Sequence, residues 1–263
     1  MQPIRVLQVF TVLNRGGAEA NIMNYYRNID RSKIQFDFLV HREEEGHFEK
    51  EIVKLGGRIF RLPAINPRKI TTYKKAVKVF FDSHPEYHII HGQLSELGVF
   101  IYEEAKRRNV PVIIAHAHSS SMDWDMKSFF RLWWKKRMMA SVNTSFACGS
   151  NAVDYLYGSN FSLPTYIMNN AVDSSRFQFD SELRKSLRFE MDMGNRKSIV
   201  SVARFEKAKN HIFLVTVFAE ILKLNLNYHL YLVGDGQLKT NILKKIEELN
   251  ISDHVTFCGV RGD

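Results

Sequence analysis

Short apolar runs rich in β-branched and aromatic residues alternate with longer amphipathic stretches along the chain. This alternation is typical of βαβ units, because each strand of a parallel sheet needs a crossover before the next strand can begin. Seven predicted strands occupy the first part: Ile4–Phe10, Gln35–Val40, Arg58–Arg61, His88–His91, Val112–His116, Thr144–Cys148 and Thr165–Met168. The predicted helices between them are Ala18–Asn28, Phe48–Leu55, Thr71–Ser83, Glu96–Arg108, Met126–Ala140 and Ala152–Tyr157. The pattern predicts one complete doubly wound α/β domain.

A polar, irregular connector follows Asn169 and leads into a charged segment, Ser181–Asn195. Strand periodicity then resumes at Ser198–Ala203, His229–Val233 and His254–Cys258, with predicted helices at His211–Leu224 and Gln237–Leu249. We therefore predict two Rossmann-like domains with mainly parallel sheets, divided near Asn170 into residues 1–170 and 171–263. The sequence stops where a further crossover helix is expected, so the second domain is expected to be incomplete.

The 263 residues carry a formal net charge of +9, which favours an anionic partner such as nucleic acid, an acidic membrane surface or a phosphorylated small molecule. The two cysteines, Cys148 and Cys258, are far apart, which argues against a disulfide framework and a cysteine zinc site. The sequence shows no secretory leader pattern and no apolar run of about 18 residues, so we expect a cytoplasmic protein.

The first glycine-rich motif, Asn14–Glu19, lies between the first predicted strand and helix. Gly16 and Gly17 would let backbone amides approach a ligand, and the helix N-terminus favours an anion. A dinucleotide site would instead need G-x-G-x-x-G and an acidic residue after the second strand, where this chain has His41. A plain turn remains the alternative.

Two histidines, His116 and His118, end the fifth predicted strand, at the sheet edge where open α/β sheets bind ligands. Strand alternation places both rings on one face. A binding role and a simple polar loop are both open, whereas a metal site is disfavoured because no carboxylate lies at a suitable spacing.

Two further strand ends carry polar residues. Arg204 and Lys209 follow the strand at Ser198–Ala203, and two cations there could hold a diphosphate, although a solvated basic loop is the alternative. Gly234, Asp235 and Gly236 follow the next strand, where this motif taken alone favours an ordinary turn beside a helix N-terminus.

The predicted helix Met126–Ala140 interleaves aromatic and basic residues. Phe129, Phe130 and Trp133 share a predicted face opposite Lys127, Arg131 and Lys135. The pattern fits an anionic membrane surface, and it fits core packing with solvated lysines equally well.

Together these segments resemble the GT-B glycosyltransferases of family 4, also called group 1, and especially those of capsular and exopolysaccharide assembly. The similarity covers essentially the whole chain through Asn14–Arg31, Phe36–His41, Ile90–Gly92, Ala115–Ser120, Asn170–Asp173, Val202–His211, Leu232–Gly236 and Val255–Gly259. It implies a retaining transferase that uses a nucleotide diphosphate sugar as co-substrate, with no cofactor and no metal. It also implies a saccharide acceptor, expected to be lipid-linked. The basic residues of Met126–Ala140 motivate a separate hypothesis, peripheral contact of this helix with the inner face of the plasma membrane.

The resemblance assigns roles residue by residue. His118, Arg204 and Lys209 match catalytic positions of the family. Donor or acceptor binding is implied for Gly16, Gly17, Glu19, Asn170, Gly234, Asp235, Gly236, Phe257 and Val260. Three positions depart from the family pattern: Ala203 and Ala171 replace glycines, and Gln93 stands where a second histidine is common.

The family's paired glutamates would follow Asp263, so little or no turnover is expected from these 263 residues alone. A non-catalytic remnant or interaction module is therefore the second hypothesis. A nucleic-acid binder is the third, but it depends only on net charge and lacks a recognisable reading motif, so no nucleic-acid partner is expected.

Overall fold

The computed structural model describes residues 2–118, 128–158 and 162–261, without the side chains of residues 128–131. The chain divides into two compact units, Met1–Arg176 and Phe177–Asp263. The sequence prediction had placed the boundary near Asn170.

Unit 1 contains seven described parallel strands in one sheet. They are β1 Ile4–Val9, β2 Ile34–Val40, β3 Ile59–Arg61, β4 Ile89–Gly92, β5 Val112–Ala117, β6 Thr144–Ala147 and β7 Thr165–Ile167. Their order in the sheet is β3-β2-β1-β4-β5-β6-β7, so the order reverses between β1 and β4. Each predicted strand of this unit is confirmed to within one residue at either end.

The helices of unit 1 are α1 Gly17–Asn28, α2 Glu49–Lys54, α3 Ile70–Ser83, α4 Val99–Arg107, α5 Ser128–Met139 and α6 Ser150–Tyr157. One prediction was wrong by a turn, because the predicted helix Glu96–Arg108 begins as a 3-10 turn, Ser95–Gly98, and becomes α-helical only at Val99. Ser95 has a φ of 49°, which a continuous right-handed helix does not allow. Met126 and Lys127 of the predicted fifth helix lie outside the described residues.

The core of unit 1 follows from strand alternation. Leu7 and Val9 of β1 pack with α3 and α4, whereas Val6 and Phe10 pack with α1 and α2. A strand covered on both faces must be apolar on both, which is the continuous apolar pattern read from the sequence. The carboxyl ends of the seven strands lie at one edge of the sheet, which is where the predicted histidines lie.

Unit 2 has three described parallel strands, β8 Lys197–Val202, β9 Tyr228–Val233 and β10 Val255–Gly259, in the order β10-β9-β8. Its helices are α7 Ser181–Glu190, α8 His211–Leu224 and α9 Lys239–Glu248. Phe205, Phe218, Leu230 and Leu232 are central residues of its core.

Helix α7 was missed from the sequence, which was interpreted there as a charged connector. The Asp180 carboxylate caps its N-terminus by accepting hydrogen bonds from the Glu182 and Leu183 amides, each 2.9 Å long. Leu183 and Leu187 are one turn apart, but the segment has few other apolar residues and most of the helix is exposed. The N-cap aspartate and the helical spacing of the two leucines were both readable signals.

Candidate functional site

Three imidazole rings are packed together at the carboxyl edge of the unit 1 sheet. His91 ends β4, His116 lies in β5 and His118 follows β5. The His91 and His116 rings are nearly parallel, with Nε2 of His91 3.0 Å from Nδ1 of His116. The His116 and His118 rings stack with centroids 4.1 Å apart. The prediction that alternation places His116 and His118 on one face is confirmed.

Two glutamines extend this cluster across β4 to β1. His118 Nε2 lies 2.5 Å from the Gln93 side-chain oxygen, and the Gln93 side-chain nitrogen donates to the side-chain oxygen of Gln8 at 3.0 Å. Gln8 lies in β1 and is buried, as is Gln93. We name the five residues Gln8, His91, Gln93, His116 and His118 the His–Gln cluster.

The three imidazoles are held neutral. Burial lowers the pKa of His118 to about 4. Burial and the neighbouring His118 lower the pKa of His91 to about 3. Burial and both neighbouring rings lower the pKa of His116 still further. Near neutral pH these side chains therefore serve as hydrogen-bonding groups and not as cations.

Metal binding is not supported in the ranges that the structure describes. There, no group of three or more His, Cys, Asp or Glu side chains is arranged to hold a metal ion. The direct contact between His91 and His116 also uses ring nitrogens that a metal would need.

The glycine pair begins α1, as predicted. Gly16 is the N-cap residue and Gly17 the first helical residue. A β-carbon on Gly16 would lie 2.1 Å from a carboxylate oxygen of Glu19, whereas one on Gly17 would meet nothing within 4 Å. The Glu19 side chain therefore folds back against the N-cap. The open space at Gly17 leaves the backbone accessible to a ligand at the positive end of the helix dipole.

Asn170 is exposed in a connector, and side chains of α1 form hydrogen bonds with the residues before and after it. The Asn24 side chain donates to the Ala171 carbonyl at 2.7 Å, and the Ala171 amide donates to the Asn21 side chain at 2.8 Å. Tyr25 donates to the Asn169 carbonyl at 3.0 Å. The asparagines are three residues apart, so they face the connector from one side of the helix.

Three strand-end loops of unit 2 are joined by backbone hydrogen bonds. The Phe205 amide donates to the Asp235 carbonyl at 2.9 Å, and the Gly234 amide donates to the Gly259 carbonyl at 2.7 Å. Gly234 has a φ of 142°, and a β-carbon there would lie 2.0 Å from the Ala203 carbonyl oxygen. A β-carbon on Gly236 would lie 2.7 Å from the backbone of Phe205. These glycines are needed for close packing between loops, so the loops form one connected edge.

Arg204 and Lys209 lie in the first of these loops, and both side chains are exposed. Arg204 is 66% exposed and forms an ion pair of 3.3 Å with Glu206. Phe205 between them is fully buried and anchors the loop, edge-on to His211 and Phe257. The structure thus places both predicted cations at the carboxyl edge of the unit 2 sheet, on a loop that the buried Phe205 ring anchors to the core.

The remaining predicted contacts of unit 2 differ in exposure. Phe257 is partly buried and packs into the core, with the Lys239 ammonium 5.8 Å from its ring centroid. Val260 and Asp235 are exposed beside the same edge, and the Asp235 carboxylate accepts from the Gly236 amide at 2.9 Å. Val260 and Asp235 are therefore more accessible to a ligand than the Phe257 ring.

Helix α5 corrects the predicted aromatic face. Trp133, which core packing of the predicted aromatic face would cover, is 52% exposed, whereas Trp134 and the buried Met138 pack into the core. The Arg137 guanidinium lies 4.4 Å from the Trp133 ring centroid and forms two hydrogen bonds with Glu103. Lys135 donates to the Tyr155 carbonyl at 2.7 Å. The packed face therefore lies one position further along the helix than the pattern indicated. Phe129, Phe130, Lys127 and Arg131 have side chains outside the described part.

Sequence reasoning missed two buried polar side chains, Gln8 and Asp37. Each interrupts an apolar strand of unit 1, which was the available signal. Asp37 lies beside a cavity of about 850 Å³ at the amino edge of the sheet, lined in part by Arg5, Arg58 and Glu86. The charged side chains that line this cavity are paired with Asp37 or with one another.

Sequence profiles identify the family. The profile described as Glycosyltransferase Family 4 matches residues 15–176, and that described as Glycosyl transferases group 1 matches residues 184–263. EpsF of Bacillus subtilis (strain 168), named as a glycosyltransferase, is 32% identical to this chain over 97% of it and 68% of EpsF. The chain belongs to the group 1 glycosyltransferases of family 4.

More distant similarities agree with this assignment. CapH of Staphylococcus aureus, a capsular polysaccharide biosynthesis glycosyltransferase, is 23% identical over 92% of this chain and 64% of CapH. The crystal structure of HepE from Anabaena in complex with UDP has a TM-score of 0.77 at 15% identity, covering 98% of this chain and 70% of HepE. The fold is therefore the α/β fold of GT-B glycosyltransferases. Within the described residues, no helix is long and apolar enough for a bilayer crossing.

Proposed function

We propose that the chain is the acceptor-side domain and the first part of the donor-binding domain of a retaining hexosyltransferase in polysaccharide biosynthesis. The enzyme transfers a hexose from a nucleotide diphosphate sugar to a lipid-linked saccharide. Family membership supports the transferase chemistry, and the capsular relative CapH supports the pathway class. HepE, which shares the fold, binds UDP and UDP-glucose, which supports a nucleotide sugar donor.

The observation that carries this proposal is the exposed pair Arg204 and Lys209 on the loop after β8. Both cations lie at the carboxyl edge of a parallel sheet, where such folds bind nucleotides. In the proposed role they bind the donor diphosphate and stabilise its negative charge as the sugar departs, which leaves no requirement for a metal ion. His118, neutral and at the carboxyl edge of the unit 1 sheet, would bind the transferred sugar through hydrogen bonds.

Titration calorimetry with UDP and GDP tests the donor site directly. Arg204→Ala and Lys209→Ala should each weaken nucleotide diphosphate binding roughly tenfold, because each removes a charge-assisted hydrogen bond. Lys207→Ala is the matched control, since Lys207 is an exposed lysine on the same loop, and its affinity should stay within about twofold. Equal affinity in all three variants, or no nucleotide binding by the parent chain, would support the non-catalytic module instead.

A lipid-linked acceptor lies at a membrane surface, so we propose that α5 contacts the membrane. Vesicle binding tests this contact. Leu132 and Trp133 are exposed there beside the exposed Lys136, a combination that suits the surface of an anionic membrane. Replacing Trp133 and Lys136 by Ser should reduce co-sedimentation with anionic vesicles. Replacing the exposed pair Lys78 and Val79 of α3 by Ser is the control and should leave co-sedimentation unchanged. Equal loss in the two double variants would contradict a docking role for α5.

A further inference from the structure

We propose that Gln93 is a positioning residue that holds His118 in the Nε2–H tautomer, so that Nδ1 of His118 accepts a hydrogen bond from a hydroxyl of the transferred sugar. This inference rests on the proposed function for the identity of the ligand. It concerns Gln93, the residue that follows β4 and contacts His118.

The tautomer follows from donor and acceptor chemistry. The atom of Gln93 that faces His118 Nε2, at 2.5 Å, is the amide oxygen, which only accepts hydrogen bonds. A neutral imidazole carries one N–H, so the proton lies on Nε2 and the lone pair on Nδ1. Nδ1 is then the acceptor that a sugar hydroxyl would meet.

Gln8 sets the orientation of Gln93. The Gln93 amide nitrogen donates to the Gln8 side-chain oxygen at 3.0 Å, which directs the Gln93 oxygen towards His118. The two glutamines and the histidine extend from β1, β4 and β5, which are adjacent in the sheet. Gln8 and Gln93 are both buried, so water does not compete easily for these hydrogen bonds.

The surroundings of His118 keep the ring neutral and fixed. His116 stacks on it, His91 lies beyond His116, and the Phe146 ring of β6 is edge-on to both His91 and His116. These described neighbours are imidazoles, an aromatic ring and carboxamides, none of which carries a negative charge that would offset the burial of an imidazolium. The pKa of His118, lowered by burial to about 4, agrees with this geometry.

Nitrogen-15 NMR of histidine-labelled protein tests the tautomer without any ligand. Wild-type His118, assigned by its loss in His118→Gln, should show the Nε2–H pattern from about pH 7 to about pH 5. Gln93→Leu removes the acceptor and should yield a mixture of tautomers. Gln93→Glu keeps an acceptor and adds a charge, so it should retain the Nε2–H form and raise the midpoint of protonation by at least about one pH unit.

The matched control is Gln35→Leu. Gln35 is a buried glutamine of β2 that donates to Tyr26 and to the Leu55 carbonyl, so its loss perturbs the same unit without reaching His118. Its His118 spectrum should equal that of the wild type. A wild-type Nδ1–H signature would overturn the proposal, and so would a His118 spectrum unchanged by Gln93→Leu. Should Gln93→Leu fail to fold, an unshifted midpoint in Gln93→Glu would also overturn it.

Ligand binding separates this inference from the proposed function. Gln93→Leu should reduce the preference for UDP-glucose over UDP by roughly threefold to tenfold while leaving UDP affinity unchanged, because only the sugar contact is lost. If neither nucleotide binds the wild type, the donor proposal fails while the NMR result still stands. If both bind and the preference is unchanged, the sugar contact fails alone.

Discussion

Replacing Asp37 by Asn tests how far one buried charge stabilises unit 1. Asp37 is 0% exposed in β2. Its carboxylate accepts from both Arg5 and Arg58 guanidinium groups, from the Arg58 amide at 2.7 Å and from the Tyr87 hydroxyl at 2.7 Å. Burial alone would raise the pKa of Asp37, but the hydrogen bonds from these three residues outweigh it and hold the pKa below its ordinary value.

The size of the effect follows from these contacts. The carboxamide introduced by Asp37→Asn would keep one oxygen acceptor, but its NH₂ group would face guanidinium and hydroxyl donors, and two arginines would lose their shared counter-charge. Breaking a buried ion pair costs about 3 to 5 kcal/mol. Arg5 is 25% and Arg58 43% exposed, so water can partly solvate both. We therefore expect a loss of about 3 kcal/mol in the free energy of unfolding.

Urea unfolding followed by far-ultraviolet circular dichroism measures this loss. Asp30→Asn is the matched control, since Asp30 is a surface carboxylate 3.2 Å from Lys33, and its effect on the free energy of unfolding should be much smaller than that of Asp37→Asn. The Asp37 contribution should be present above the ordinary Asp pKa and should disappear as pH falls through the lowered native pKa. A loss for Asp37→Asn that is no larger than the loss for Asp30→Asn would refute the reasoning.

Gly17→Ala should leave thermal stability unchanged or slightly higher, because the added methyl group meets nothing within 4 Å. If the backbone at Gly17 contacts the ligand, the same variant should bind the donor sugar more weakly in calorimetry. Gly234→Ala should lower the melting temperature clearly because of the Ala203 carbonyl, whereas Gly149→Ala, with open space at the β-carbon, should not. The free energy of unfolding should also fall from about pH 7 to about pH 5, because the histidines of the His–Gln cluster are protonated in the unfolded chain and stay neutral in the native protein. Each histidine should contribute about 2 kcal/mol to this loss. His116→Asn should flatten that slope in urea titrations, and an unchanged slope would contradict it.

Strand positions were predictable because short apolar runs rich in β-branched residues are typical of buried strands. The buried strands of unit 1 alternate between two packed layers, so their pattern is strong, and their bounds were read to within a residue. Helix α7 and the packed side of α5 were not read correctly. In α7 the apolar face is largely exposed, and in α5 Trp133 is covered by Arg137 and not by core residues. The helical spacing of apolar residues alone does not show which side of a partly buried helix packs against the core.

The site was only partly predictable for a different reason. Strand ends could be identified as a ligand-binding edge, which located His118 and Arg204 from local sequence. The partner of His118 could not be found in this way, because Gln93 and Gln8 are distant in sequence and meet only through the strand order β1-β4-β5. Close approaches such as Gly234 against Ala203 likewise depend on loops of neighbouring strands.

The hydrogen bonds between α1 and the connector involve only the main chain of the connector. Asn21 and Asn24 bind the amide and the carbonyl of Ala171, so nothing in the contact reads the side chain at that position. Relatives can therefore exchange the small residue at 171 without disturbing the junction, whereas either asparagine could be replaced only at the cost of a hydrogen bond. Sequence variation across this stretch should accordingly be high on the connector and low on the helix that holds it.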